Sequence, residues 1–230
     1  MWYSKNNLRL SLERKSGFTL VELLVCIAIV AVLSGILASV VTTARKSAMR
    51  AGGVNSLRQT GAAIQLFTQD HSQTLPGPLW PGQVPFYQNE ERERLAYWLS
   101  PYFDLPRDAV RPMPVKVMIP PAYPMDEIGT EPRTYVANTK YRHPDTNEII
   151  NYWGTHPFLA KKPEDSIPMT VTSIPVPAQA WALMDADREN RFVKFAPWAI
   201  KTPEKPIHGR VRHVLYFDWH VEAVGIDEEL

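Results

Sequence analysis

After a short polar leader the chain turns apolar from Phe18 to about Val41, with Glu22 the one ionisable carboxylate in that run and no Lys or Arg. About 20 apolar residues suffice to cross a bilayer as a helix, so this run predicts a membrane-spanning segment. Beyond it, Val54, Leu57, Gly61, Ile64 and Phe67 recur at helical spacing. Together the two patterns predict one long helix from about Thr19 to Asp70, apolar in its first half and amphipathic in its second. Gly52-Gly53 predicts a bend in it, because Gly weakens a helix by about 1 kcal/mol relative to Ala. Asp70-His71-Ser72-Gln73 ends the helix, and Leu75-Pro76-Gly77-Pro78 is a breaker.

The rest of the chain reads as short elements. Residues 76–88 read as an irregular loop, and Glu90 to Leu99 as a short amphipathic helix stopped by Pro101. Strands are expected at Val115 to Ile119 and at Thr134 to Asn138, and a loop from Tyr141 to Pro163 with a short strand at Ile149 to Trp153. Ala180 to Asp185 reads as a buried strand. Val211 to Phe217 and His220 to Val224 read as a terminal hairpin turning at Asp218-Trp219. The apolar stripe on the second half of the helix needs a partner, which the C-terminal part should supply. The fold class is therefore α+β: a long N-terminal helix packed on a small antiparallel β-sheet. The expected segments are a leader at 1–17, a transmembrane helix at 18–41, the outer half of the helix at 42–70 and a globular domain at 71–230.

Charge sets the orientation. The leader carries Lys5, Arg9, Arg14 and Lys15 against Glu13, and a basic flank keeps its side of a membrane segment in the cytoplasm. The net charge of +1 leaves no broad basic footprint for nucleic acid. Cys26 is the only cysteine and lies in the apolar run, so no intramolecular disulfide forms. The 21 prolines fall mainly between residues 76 and 206, which predicts a loop-rich domain. Glu22 is the anomaly, since a carboxylate inside a spanning segment costs roughly 2.5–3.5 kcal/mol. A nearby cation would offset that cost. Cleavage between Gly17 and Phe18 would create one: the new α-amino group of Phe18 lies one helical turn from Glu22, and it can answer its own Glu22 or that of a neighbouring helix.

Lys15-Ser16-Gly17-Phe18-Thr19-Leu20-Val21-Glu22, followed by a spanning apolar run, resembles the class III leader of type IV prepilins and type II secretion pseudopilins. The resemblance implies that a prepilin peptidase cuts after Gly17 and that the new N-terminal Phe18 is methylated. It implies that Glu22 is the residue through which the subunit enters a filament. It also implies partners that are other pilin or pseudopilin subunits, and a single-pass protein of the inner membrane with its C-terminal domain periplasmic or extracellular. A structural subunit of a type II secretion pseudopilus is the expected function, ahead of a type IV pilus subunit, and no enzyme activity is expected. The C-terminal half is similar to the tail of a prepilin-like family abundant in planctomycetes, which usually ends with a His, nine intervening residues, Asp-Gly and then His-Val. His208 and Asp218 keep that spacing, but Trp219 stands where Gly is usual, which predicts a different turn or a bulge.

One group of residues could carry other chemistry. His208, His213, Asp218 and His220, with Asp185 and Asp187, supply nitrogen and oxygen ligands that suit zinc. Of these, His208, Asp218 and His220 are the candidate metal ligands. Oxygen atoms of Asp185, Asp187 and Asn190 would suit calcium instead, although no EF-hand spacing is present. The same aspartates also fit a role as turn caps, with His208 hydrogen-bonding the hairpin. A metal site would belong to an alternative function, a membrane-anchored binding module or metal-dependent hydrolase. No Gly-x-Ser-x-Gly elbow, Walker loop or dinucleotide fingerprint occurs.

Overall fold

The computed structural model describes residues 18–106, 108–142 and 149–228. Two compact units divide the chain, residues 1–45 and 46–230. Helix α1, Leu20–Asp70, begins in the first and ends in the second. In the first unit every large apolar side chain from Phe18 to Val41 is exposed. This stretch is long and apolar enough to cross a membrane, by length and composition.

In the second unit α1 buries one face: Gly53, Ser56, Leu57, Thr60, Gly61, Ala63, Ile64, Phe67 and Thr68. The spacing is the expected helical one, but the face is built as much from small residues as from large ones. Helical hydrogen bonding runs through Gly52-Gly53. Gly53 serves close approach, because a Cβ there would stand 2.5 Å from His208 Nε2 and 2.8 Å from His213 Nδ1.

The partner of this face is an antiparallel sheet of five strands. The strands of the described residues are β1 Gly82–Gln83, β2 Phe86–Tyr87, β3 Met113–Pro114, β4 Tyr135–Ala137, β5 Tyr141–Arg142, β6 Ile149–Ile150, β7 Trp181–Asp185, β8 Val211–Tyr216 and β9 Val221–Gly225. The large sheet runs β1-β4-β7-β8-β9, while β2 pairs with β3 and β5 with β6. Successive side chains point to opposite faces of a strand, and the sheet has a core on each side. Tyr135, Ala137, Leu183 and Leu215 join Leu57, Ile64 and Phe67 of the helix. Val136, Met184, Val214 and Val224 pack with Val193 and Ala199 on the other side. Tyr135 pairs with Asp185 and Met184 with Val214, so Asp185 falls on the helix side beside His213.

Several local expectations are corrected. The loop of residues 76–88 contains β1 and β2. The expected helix from Glu90 shrinks to α2, Leu95–Leu99, whose first amide donates to Gln83 Oε1 at 2.6 Å. Upstream, Arg94 is drawn into ion pairs with Glu91 and Glu131 rather than into a helix. Pro101 does not stop the chain's turning but sits in the first turn of a 3-10 helix, Ser100–Phe103, where its missing N–H is tolerated. No strand forms at Val115 to Ile119: β3 ends before it, at Pro114, and a 3-10 turn, Lys116–Met118, takes its place. Within the expected loop from Tyr141, the β5–β6 pair forms, and Tyr152 and Trp153 are fully buried against Phe217.

The terminal hairpin turns where expected, and Trp219 takes the conformation that Gly serves, with φ 72. Trp219 N–H donates to Tyr216 O at 3.0 Å and Tyr216 N–H to His220 O at 3.0 Å, the three-residue loop closed by a bulge. Left-handed backbone costs an L-residue roughly 1–2 kcal/mol. The Trp219 side chain packs against the helix-side core and offsets it.

The helix–sheet contact should dominate the stability of this unit. Leu57→Ala, at a position with no exposed surface, is expected to lower the free energy of unfolding by about 2–5 kcal/mol. Leu66→Ala, on the half-exposed side of the same helix, is expected to change it by about 0.5 kcal/mol or less. Urea unfolding of the two variants in detergent checks this, and equal effects would deny that the buried stripe anchors α1.

Candidate functional site

Two regions carry the candidate residues. The first is the start of α1. Gly17 lies outside the described residues, and Phe18 is 74% exposed. Thr19 and Glu22 satisfy the helix N-terminus reciprocally. Thr19 N–H and Thr19 Oγ1 both donate to Glu22 Oε2 at 2.8 Å, and Glu22 N–H donates to Thr19 Oγ1 at 3.2 Å. This is a capping box, and it gives Glu22 a local role that the sequence reading missed. The signal was present as Thr-x-x-Glu at the opening of an apolar helix.

The second region lies on the sheet. The structure brings His208 together with Asp185 and His213, while Asp218 and His220 sit with each other at the exposed β8–β9 turn. Asp218 Oδ1 accepts the N–H of His220 at 3.1 Å and contacts its Nδ1 at 2.5 Å, and the His220 ring stacks on Tyr216. Asp218 thus caps the turn. Asp187 is bound by Arg212, whose Nε donates to Oδ2 at 2.7 Å and Nη2 to Oδ1 at 2.9 Å. Asn190 Oδ1 accepts the Phe192 N–H at 2.9 Å. Of the oxygens expected for calcium, those of Asp187 and Asn190 are therefore engaged in a buried fork and in a turn.

Asp185, His208 and His213 are different. One ligand atom of each lies within 4.8 Å of the others, and all three residues are buried. β7 supplies Asp185, the turn before β8 supplies His208, and β8 supplies His213. Asp185 Oδ2 accepts the His213 N–H at 2.8 Å. The two imidazole rings tilt against each other with centroids 4.1 Å apart. Both ring nitrogens of His208, Nδ1 of His213 and Oδ1 of Asp185 are buried without a hydrogen bond. The Tyr135 hydroxyl, across the β4–β7 register, faces Ser56 and Asp185.

Burial sets the protonation of this group. Desolvation pushes the Asp185 carboxyl up to about 7, the backbone bond from His213 and the Arg212 charge opposing and Asp187 adding to it. Desolvation lowers His208 to about 4, with His213 and Arg50 adding to it. Desolvation and the Arg50 charge lower His213 to about 4. Below about pH 6.5 the unfolded chain takes up protons at both histidines that the fold refuses, while the fold holds a proton at Asp185 that the unfolded chain releases. Between about pH 4 and 6.5 the unfolded state binds about one proton more, so stability falls on acidification by about 1.4 kcal/mol per pH unit from this cluster. Urea unfolding with EDTA present checks it: the double variant His208→Gln/His213→Gln should lose or reverse that slope.

Residues 13–38 match the family model described as the prokaryotic N-terminal methylation motif. No curated protein and no solved structure matches the chain. The matched segment takes in Gly17, Phe18 and Glu22 and the first turns of α1. It supports a prepilin-type leader, a membrane-anchored chain, and a subunit of the type IV pilin-like or pseudopilin class that is processed by a prepilin peptidase and assembles with other subunits.

Proposed function

We propose that the chain is a pseudopilin of a type II secretion system, cut after Gly17, methylated on Phe18 and held in the inner membrane with its C-terminal domain in the periplasm. The observation that carries this reading is the coincidence of the methylation motif with a helix whose apolar surface finds no cover within its own unit. That surface is covered first by lipid and then by the same helix of other subunits. The basic leader supports cytoplasmic retention of the N-terminus and export of the domain. Glu22, at the fifth position of the cleaved chain, meets the Phe18 amine of a neighbour in a layer of low dielectric, where an unpaired charge is expensive and a paired one directs assembly. A pilus subunit would use the same chemistry at its N-terminus. The absence of cysteine from the outer domain favours the secretion pseudopilus over the disulfide-looped pilins.

Two measurements test the proposal. Mass spectrometry of the membrane-extracted protein, made in cells with an active prepilin peptidase, should find N-methyl-Phe18 at its start. An intact Met1 counts against it. Glu22→Ala should still be cleaved yet fail to enter filaments when expressed with the wild-type chain, read by sheared-fraction immunoblot. Incorporation at the wild-type level would remove the assembly role of Glu22.

A further inference from the structure

The unbonded polar atoms beneath α1 are too concentrated to be incidental. Each buried polar group without a partner costs about 1–3 kcal/mol, and Asp185, His208 and His213 gather four such atoms in one place. Their side chains are 4%, 1% and 2% exposed. Asp185 Oδ2 stands 3.4 Å from His213 Nδ1 and 3.7 Å from His208 Nε2. Those separations are long for N–H···O hydrogen bonds, which fall at about 2.7–3.2 Å. The shorter one equals the edge of a zinc tetrahedron, since ligands at about 2.0–2.1 Å from the ion lie about 3.3–3.4 Å from one another, and the longer one closes to it with a shift of about 0.3 Å.

We propose that Asp185, His208 and His213 bind a divalent transition-metal ion of the zinc type, in a buried three-ligand site between the sheet and helix α1 whose fourth position a water fills. Two imidazoles and a carboxylate suit zinc. Calcium and magnesium prefer shells of oxygen, which this site does not offer. The ion would tie together two pieces of chain distant in sequence: the end of β7, and the turn carrying His208 with the start of β8. Gly53 of α1 makes the room, because any Cβ there would collide with the two imidazole edges. The charge of the ion is met by Asp185, with Asp187 shared with Arg212 behind it. Arg50 is the opposing cation, close to Gly209 in the turn that carries His208. Burial keeps the site away from substrate, so its task is to hold the domain together. The inference stands whether or not the chain assembles into a filament.

The test uses the full chain without an affinity tag, in detergent, stripped with EDTA and then freed of chelator. Zinc chloride is expected to bind stoichiometrically and to survive gel filtration. At a zinc concentration of about 100 times Kd the melting temperature should rise by about 5–10 °C, reversibly with EDTA. Cobalt chloride in its place should give the visible absorption of a four-coordinate ion. His208→Gln and His213→Gln should each lose both signals, and far-UV circular dichroism of the metal-free variants establishes that they are folded. His220→Ala, at the exposed turn, should keep both. A wild-type chain that retains no zinc overturns the proposal and assigns the gap to a bridging water. Zinc retained equally by the folded glutamine variants overturns it as well, since the ion then sits elsewhere.

Discussion

The close approach of helix α1 to the inner face of the sheet governs the domain. Gly53 and Gly61 bring the helix backbone down onto side chains rather than spacing it away: a Cβ on Gly61 would stand 2.9 Å from Leu215, and one on Gly53 closer still to the histidines. Glycine is a poor helix former, by about 1 kcal/mol each relative to Ala. Its presence twice on the buried face shows contact distance prevailing over local propensity. Between the glycines and beyond them, Leu57, Ile64 and Phe67 supply the apolar area that anchors the helix.

That seam grades from polar to apolar along its length. Near Gly53 it meets Asp185, His208 and His213, with Ser56 and Tyr135 beside them; near Gly61 it meets Leu215, and further on the aromatic pairings of Phe67 with Trp98 and Tyr102. The polar end lies toward the first unit of the chain in sequence, the apolar end toward the breaker at residue 75. A wholly apolar seam would be simpler, because buried polar groups left without partners cost about 1–3 kcal/mol each. Keeping carboxylate and imidazole there is consistent with a specific ligand for them.

The regular elements were legible wherever a period was sustained. The spacing of Leu57, Gly61, Ile64 and Phe67 gave the helix, and the apolar runs around Tyr135, Leu183 and Leu215 gave the three central strands of the sheet. Two-residue strands such as Gly82–Gln83 carry no period, and they exist only because β4 lies beside them. The start of α2 was overestimated because its amide donor is served by Gln83, distant in sequence, and no local cap marks the place. The candidate ligands were partly legible. The sequence offers His208, His213, Asp218 and His220 with Asp185 and Asp187 as one cluster, and points to His208, Asp218 and His220 within it. Which of them lie side by side depends on strand register, with an irregularity between Trp181 and Leu183 shifting the pairing. A clue lay in the alternation itself: Leu183 and Asp185, and likewise His213 and Leu215, are two apart and share the face that meets the helix.

The capping box at the head of α1 has a bearing on how a charged group in lipid can serve two purposes. Thr19 donates both its N–H and its hydroxyl to a single carboxylate oxygen, Oε2. The second oxygen of Glu22 has no hydrogen-bond partner among the described residues. Under the assembly proposed above, a subunit would not need to unravel its first helical turn in order to receive an amine from the next one. Its acid would arrive with one oxygen already committed to its own helix start, so that docking would order little that was not ordered before.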